Sequence, residues 1–241
     1  MIALVLLATQ ASVQKYNVTS NGDPTGAHCP SSTKCSYRAV LEEITKSDYK
    51  KVVCGEPCEV HIQLPPGTIT VSTSTKSPKL PTGNLPQLQN LDSILIIGDP
   101  SGTTLDGSGE LQLLYTHTGV SVNISDVTFH RGSASLMQNK TKLYQGGAIV
   151  NAGSMRLERC HFRQNVAKDA AGAILNNGDL FMEGCSFRES RAVSGGAISS
   201  QGSASPRVEA LDCDFEGNEA TVSGSGNGGA IDNQGDMKLI K

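Results

Sequence analysis

The residue types needed for acid–base or nucleophilic chemistry fall at repeated positions around three Cys-x-Phe units. His161, Ser186 and Asp214 stand between Cys160 and Phe162, Cys185 and Phe187, and Cys213 and Phe215, and Thr128 holds the matching place in an earlier, cysteine-free copy. Once stacked, these positions form a column holding a base, a nucleophile and an acid. The order is wrong for a hydrolase, because a triad needs its histidine between the other two groups. The column is therefore expected to be solvated surface. Glu158 and Glu183 share a second position, two residues before Cys160 and Cys185. Carboxyl groups stacked about 5 Å apart suit a retaining glycosidase, so this pair supplies the catalytic candidates. Arg163 and Arg188 share a position nearby and are expected to balance the two charges instead. Asp106, before Gly107, suits a turn. His28, His61, His117, His130 and His161 show no metal-ligand spacing, so neither metal nor cofactor is expected.

What must position these residues is a repeat. Gly147-Ala148-Ile149, Gly172-Ala173-Ile174, Gly196-Ala197-Ile198 and Gly229-Ala230-Ile231 are copies of one tripeptide, 25, 24 and 33 residues apart. Two residues after each Ile comes Asn151, Asn176, Ser200 or Asn233, and four after it comes Gly153, Gly178, Gly202 or Gly235. A second half-unit repeats as Met155/Leu157/Cys160/Phe162, Leu180/Met182/Cys185/Phe187 and Val208/Ala210/Cys213/Phe215, with Val122/Ile124/Val127/Phe129 ahead of them. Apolar residues two apart give the strand period, and no long helical stretch separates the strands. A unit of about 25 residues made of short strands and Gly, Asn and Ser turns is one coil of a parallel β-helix. The fold class is therefore all-β, a right-handed parallel β-helix. The Ile, Phe and Cys positions should form inner ladders, and Asn165 and Asn218 should bond backbone at a turn where Ser190 interrupts the series. Length varies at 131–145, 203–206 and 221–227, where binding loops would grow.

The 241 residues contain 26 Gly, no Trp and 4% aromatic residues, a composition thin for one globular core and sufficient for stacked layers. A net charge of −3 with both signs scattered gives no reason to expect nucleic acid or an anionic membrane as partner. Residues 1–11 (MIALVLLATQA) read as a signal peptide, too short to span a bilayer. Residues 12–60 read as a cap rich in cysteine, and 61–241 as the β-helix, expected to continue past Lys241. Within the cap, residues 36–47 carry a helix pattern suited to covering the open end of the stack. Cys29, Cys35, Cys54 and Cys58 suggest two disulfides in any of three pairings, with a Cys₄ zinc site as the other option. Sequons at Asn17, Asn123 and Asn139 are glycosylation candidates. Secretion or cell-surface exposure follows from these features together.

Two resemblances fit this reading. Cys35-Ser36-Tyr37-Arg38-Ala39 and Ile62–Thr70 resemble the start of the CSLREA domain, which precedes right-handed β-helices of the pectin-lyase-like fold in secreted bacterial proteins. Ala39 stands where that family has glutamate. The Gly-Ala-Ile and Phe-x-x-Asn elements resemble the passenger repeats of polymorphic outer membrane proteins, with Ser190 replacing one Asn. Both motifs mark architecture, so the resemblance implies a surface or secreted β-helix and no particular reaction. The expected function is an adhesin-like or structural module binding an extracellular glycan or protein. The alternative is a polysaccharide lyase or glycoside hydrolase, although the paired-Asp and Gly-His-Gly pattern of polygalacturonases and a pectate-lyase calcium cluster are missing.

Overall fold

The computed structural model describes residues 13–19, 35–47, 49–50, 53, 57–72, 85–134, 145–202, 205–221 and 228–241. Its strands form four sheets of eight, six, five and four strands, paired in parallel throughout. A representative coil runs through Ser154–Glu158, His161–Arg163, Val166–Ala167 and Ile174–Asn176, one strand in each sheet. The chain then enters Asp179–Glu183, which lies beside Ser154–Glu158 in register. This is a parallel β-helix.

The corners between sheets have a simple local cause. Single residues in the left-handed region turn the chain: Asp126, Arg159, Gly184 and Asp212 at one corner, and Arg131, Gln164, Glu189 and Gly217 at the next, with φ between 46° and 63°. Between corners, alternate residues point inward, as the buried–exposed alternation of Met155, Leu157, Leu180 and Met182 shows. The expected ladders form. Ile149, Ile174, Ile198 and Ile231 are register partners. Phe129, Phe162, Phe187 and Phe215 stack face to face with centroids 4.9, 4.7 and 4.8 Å apart.

The two residues before Ala-Ile, Gly-Gly in three copies and Ala171-Gly172 in the other, have a physical reason. The first adopts φ of 69° at Gly146 and 58° at Gly195, and Ala171 holds φ 61° at the same place. The second is pressed against the next coil. A Cβ on Gly147, Gly172 or Gly196 would lie 2.1–2.2 Å from the carbonyl oxygen of Gly172, Gly196 or Gly229.

Buried amides tie coil to coil. Thr116 donates to Asn151 Oδ1 (3.1 Å), and Asn151 Nδ2 donates to Asn176 Oδ1 (2.8 Å). Asn165 reaches back one coil, accepting from the Gly132 N–H (2.8 Å) and donating to the Phe129 carbonyl (3.1 Å). Asn218 makes the same two bonds to Ser190 N–H and the Phe187 carbonyl, at 3.1 and 2.9 Å. Ser190 is too short for this clamp and turns to its own coil, donating to the Arg188 carbonyl at 3.5 Å. Ser190→Asn should restore the clamp to Asn165 N–H and the Phe162 carbonyl and add about 1 kcal/mol. A higher midpoint in urea titration checks this, and an unchanged or lower one refutes it.

The connections into the five-stranded sheet fold back over its outer side, burying Val150, Ala171 and Leu175 with Tyr115 packed against them. Ser199 continues that column beside Leu175, and its hydroxyl is buried without a partner among the described residues. Removing an unsatisfied buried hydroxyl relieves about 1–3 kcal/mol. Ser199→Ala should therefore raise the thermal midpoint, and a fall would show that the hydroxyl is satisfied in solution.

At the other end sits the only α-helix of the described residues, Tyr37–Ile44. Ser36 caps it, accepting from the Ala39 N–H at 3.1 Å. Tyr37, Val40, Leu41 and Ile44 are buried in the main core. Arg38 is 2% exposed and donates to the Ser72 carbonyl at 3.0 Å. The strand Val13–Asn17, within the segment expected as cap, already pairs with Glu59–Gln63 in the eight-stranded sheet. Cys35 and Cys58 are buried in the same core. Residues 1–11, Cys29, Cys54, Asn139 and parts of the variable segments 131–145, 203–206 and 221–227 (135–144, 203–204 and 222–227) lie outside the described residues.

Candidate functional site

The catalytic candidates Glu158 and Glu183 are register neighbours, as their spacing predicts. The cation between them is Arg156, whose Nε donates to Glu158 (2.5 Å) and whose Nη2 donates to Glu183 (3.0 Å). Its guanidinium also lies over the Phe181 ring, 4.1 Å from the centroid. The expectation that Arg163 and Arg188 would balance these carboxylates is corrected. A residue two before Glu158 on the same strand shares its face, whereas Arg163 and Arg188 lie round the corner on another sheet. Arg188 pairs instead with Glu216 at 3.3 Å. Arg156 thus fills the space between the carboxylates that a sugar ring would need.

The column Thr128, His161, Ser186, Asp214 forms in that order on the outer side of the six-stranded sheet. His161 Nδ1 and Ser186 Oγ are 2.8 Å apart. Burial, with Arg163 and Arg188 beside it, holds the His161 ring below its ordinary pKa. The contact is a cross-coil hydrogen bond between ring and hydroxyl. Ser186 separates His161 from Asp214, and among the described residues no acid bonds the ring.

Asp106 does more than close a turn. It accepts from Ser108 N–H at 2.8 Å, from Arg131 Nε at 3.1 Å and from Arg131 Nη2, and it lies 3.6 Å from His130 Nδ1. His130 continues to Gln164 (3.1 Å), and Gln164 to Glu189 (2.9 Å). Burial pushes the Asp106 carboxyl up, but Arg131, the Ser108 N–H and His130 outweigh it and hold it below its ordinary value. Because the folded pKa is depressed, this contribution is full above the unfolded value near 3.9 and is lost as pH falls through the folded one. Asp106→Asn should cost about 1–3 kcal/mol at neutral pH, and the loss should shrink on acidification below about pH 4. Thermal melts of both proteins across that window check it, and parallel profiles would refute it.

The free cysteines Cys160, Cys185 and Cys213 form the expected ladder; the first two are buried and the third is half-buried. Their thiols donate to the carbonyls of Glu158, Glu183 and Leu211 at 3.3–3.5 Å, serving the corner. Hydrogen bonding to Cys160, with burial added, pushes the Cys185 thiol up to about 12, which removes thiolate reactivity at neutral pH. Asn17 and Asn123 are exposed on the eight-stranded sheet. A shallow groove of about 430 Å³ follows the turns at Gly119, Gly153 and Gly178, with Ser154, Asn177 and Asp179 on its walls. Among the described residues no cluster fit to hold a metal ion occurs, and no helix is long and apolar enough to cross a membrane.

In the last coil Phe215, Asn218 and Gly229-Ala230-Ile231 follow one another as Phe162, Asn165 and Gly172-Ala173-Ile174 do two coils earlier. Residues 212–234 match the Chlamydia polymorphic membrane protein repeat. Within this repeat, Phe215 stacks on Phe187, Asn218 clamps the coil above, and Ile231 pairs with Ile198. The positions that define the repeat in this chain are therefore those that join coils. No curated protein and no solved structure matches the chain.

Sequence reasoning missed Arg156, Arg159 and Arg131 as the organising cations. Arg156 was legible from strand alternation, which puts it on the face of Glu158. Arg159 sits on the left-handed corner and makes two bonds to Asp126 of the previous coil, at 2.7 and 2.9 Å. Arg131 occupies the next corner, and corner geometry left no mark in the residue types.

Proposed function

We propose that this chain is a cell-surface or secreted binding module, an adhesin-like β-helix whose outer faces and turns contact an extracellular glycan or protein. The observation that carries this reading is the Chlamydia polymorphic membrane protein repeat at residues 212–234, a name that points to the outer membrane and cell surface. Support comes from the economy of the stack. The chemically able residues Glu158, Glu183, His161 and Ser186 are spent on cross-coil contacts, while whole columns of polar side chains remain outward for recognition. Disulfides among Cys29, Cys35, Cys54 and Cys58 would fasten the cap, and Asn17, Asn123 and Asn139 would take glycans in a eukaryotic source; both suit an exported protein. A leader over residues 1–11 belongs to the same reading.

A glycan-array screen of the secreted product tests the function. Selective retention of one glycan class with no product formation supports a binding module. A new unsaturated-product absorbance or new reducing ends from a bound polysaccharide would replace this reading with a lyase or hydrolase.

A further inference from the structure

On the outer surface charges are compensated between coils, and even the like-charged register neighbours Glu158 and Glu183 share Arg156. Opposite charges meet on neighbouring coils at Arg156–Glu183, Arg159–Asp126, Arg191–Glu219 and Lys238–Glu209. On the six-stranded sheet, His130, Arg163 and Arg188 instead follow one another in register. Arg163 is exposed and makes no ion pair among the described residues. The nearest acids are engaged at the borders. Asp106 above holds Arg131 and His130, and Glu216 below reaches Arg188 at 3.3 Å, with Asp214 below Ser186. Like charges directly opposite on neighbouring strands destabilise a sheet. A fold that keeps such a pair against this pattern marks a place shaped by something other than stability.

We propose that Arg163 and Arg188, register neighbours on successive coils, bind the acidic groups of a linear anionic polysaccharide lying along the helix axis, Arg188 exchanging its exposed partner Glu216 for the polymer. This rests on the extracellular binding function above. Guanidinium groups pair with carboxylate or sulfate through two parallel hydrogen bonds. Coils about 4.8 Å apart present one cation per rung to a polymer of repeating charge. Thr128 and Ser186 run in the adjoining column and give hydroxyl partners to sugar hydroxyls. The face has no walls to enclose a small free anion. Its outward residues include no Phe, Tyr or Trp on which nucleic-acid bases would stack.

The test is binding of the full chain to immobilised dextran sulfate, polygalacturonate, neutral dextran and single-stranded DNA. Retention of dextran sulfate, polygalacturonate or both is expected, weakening as salt rises, and the two polymers distinguish sulfate from carboxylate. Arg163→Gln combined with Arg188→Gln should weaken it about tenfold or more, while Arg191→Gln leaves it unchanged. Because a repulsion is removed, Arg163→Gln should not lower the thermal midpoint; a drop would make Arg163 structural and overturn the proposal. Unchanged affinity in the double variant, no retention of either acidic polymer, or equal retention of DNA also overturns it. Neutral-glycan binding that ignores both substitutions overturns this site while leaving the binding-module function standing. That function fails separately, when the glycan array finds no ligand or reveals turnover.

Discussion

Gly172→Ala is expected to destabilise the protein by about 4 kcal/mol or more, at the exceptional end of single substitutions. The new Cβ would lie 2.1 Å from the Gly196 carbonyl oxygen and 2.5 Å from the Arg191 amide nitrogen. Both are backbone atoms held by neighbouring strands, so neither can swing aside as a side chain would. The Gly172 carbonyl in turn faces Gly147 from the other side, and a shift of this residue disturbs the coils on both sides. The molecule contains its own control. At Gly229, the same repeat position one coil beyond Gly196, the nearest atom to an added Cβ is 3.7 Å away. Gly229→Ala should stay within about 1 kcal/mol. Urea titrations followed by far-ultraviolet circular dichroism would separate the two, and equal shifts would show that close backbone approach is not what fixes this glycine.

Phe162→Ala is expected to cost about 3–5 kcal/mol. Phe162 is fully buried between Phe129 and Phe187, at interplanar angles of 8° and 3°. Truncation leaves a cavity bounded by two rigid rings on coils fixed by backbone ladders, which resists collapse. Each lost ring pair adds about 0.5–1.5 kcal/mol beyond buried area. Phe215 touches one ring and is half-buried, so Phe215→Ala should cost clearly less. The same titration measures both. A broadened or two-step transition for Phe162→Ala would add that the coils on either side can unfold separately, as stability summed between neighbours allows. Equal costs at Phe162 and Phe215 would mean that stacking on both faces contributes nothing.

Sequence alone determined the coil. Alternation two residues apart, a unit near 25 residues and fixed offsets to Gly, Asn and Phe leave one stacking register, because any slip would turn the Ile and Phe ladders outward. The inner ladders, the Asn165 and Asn218 clamps and the helix near residues 36–47 were legible for that reason. Ser190 as the break in the clamp series was legible too. Column order also ruled on His161, Ser186 and Asp214, since register fixes which residue lies between which.

Only the tertiary structure decided how the outward charges pair. Register brings Glu158 beside Glu183, but which guanidinium reaches them depends on the corner at Arg159, where φ is 50°, and on the face to which each strand turns. A left-handed corner filled by Asp, Arg, Gln or Glu has no residue signature, because glycine, the residue that usually announces it, is absent from most of these corners. Long, flexible side chains then choose partners across coils, 27 and 33 residues apart in sequence for Arg156–Glu183 and Arg159–Asp126. Repetition wrote the core in the sequence; the pairing of the surface arginines follows from corners that only folding reveals.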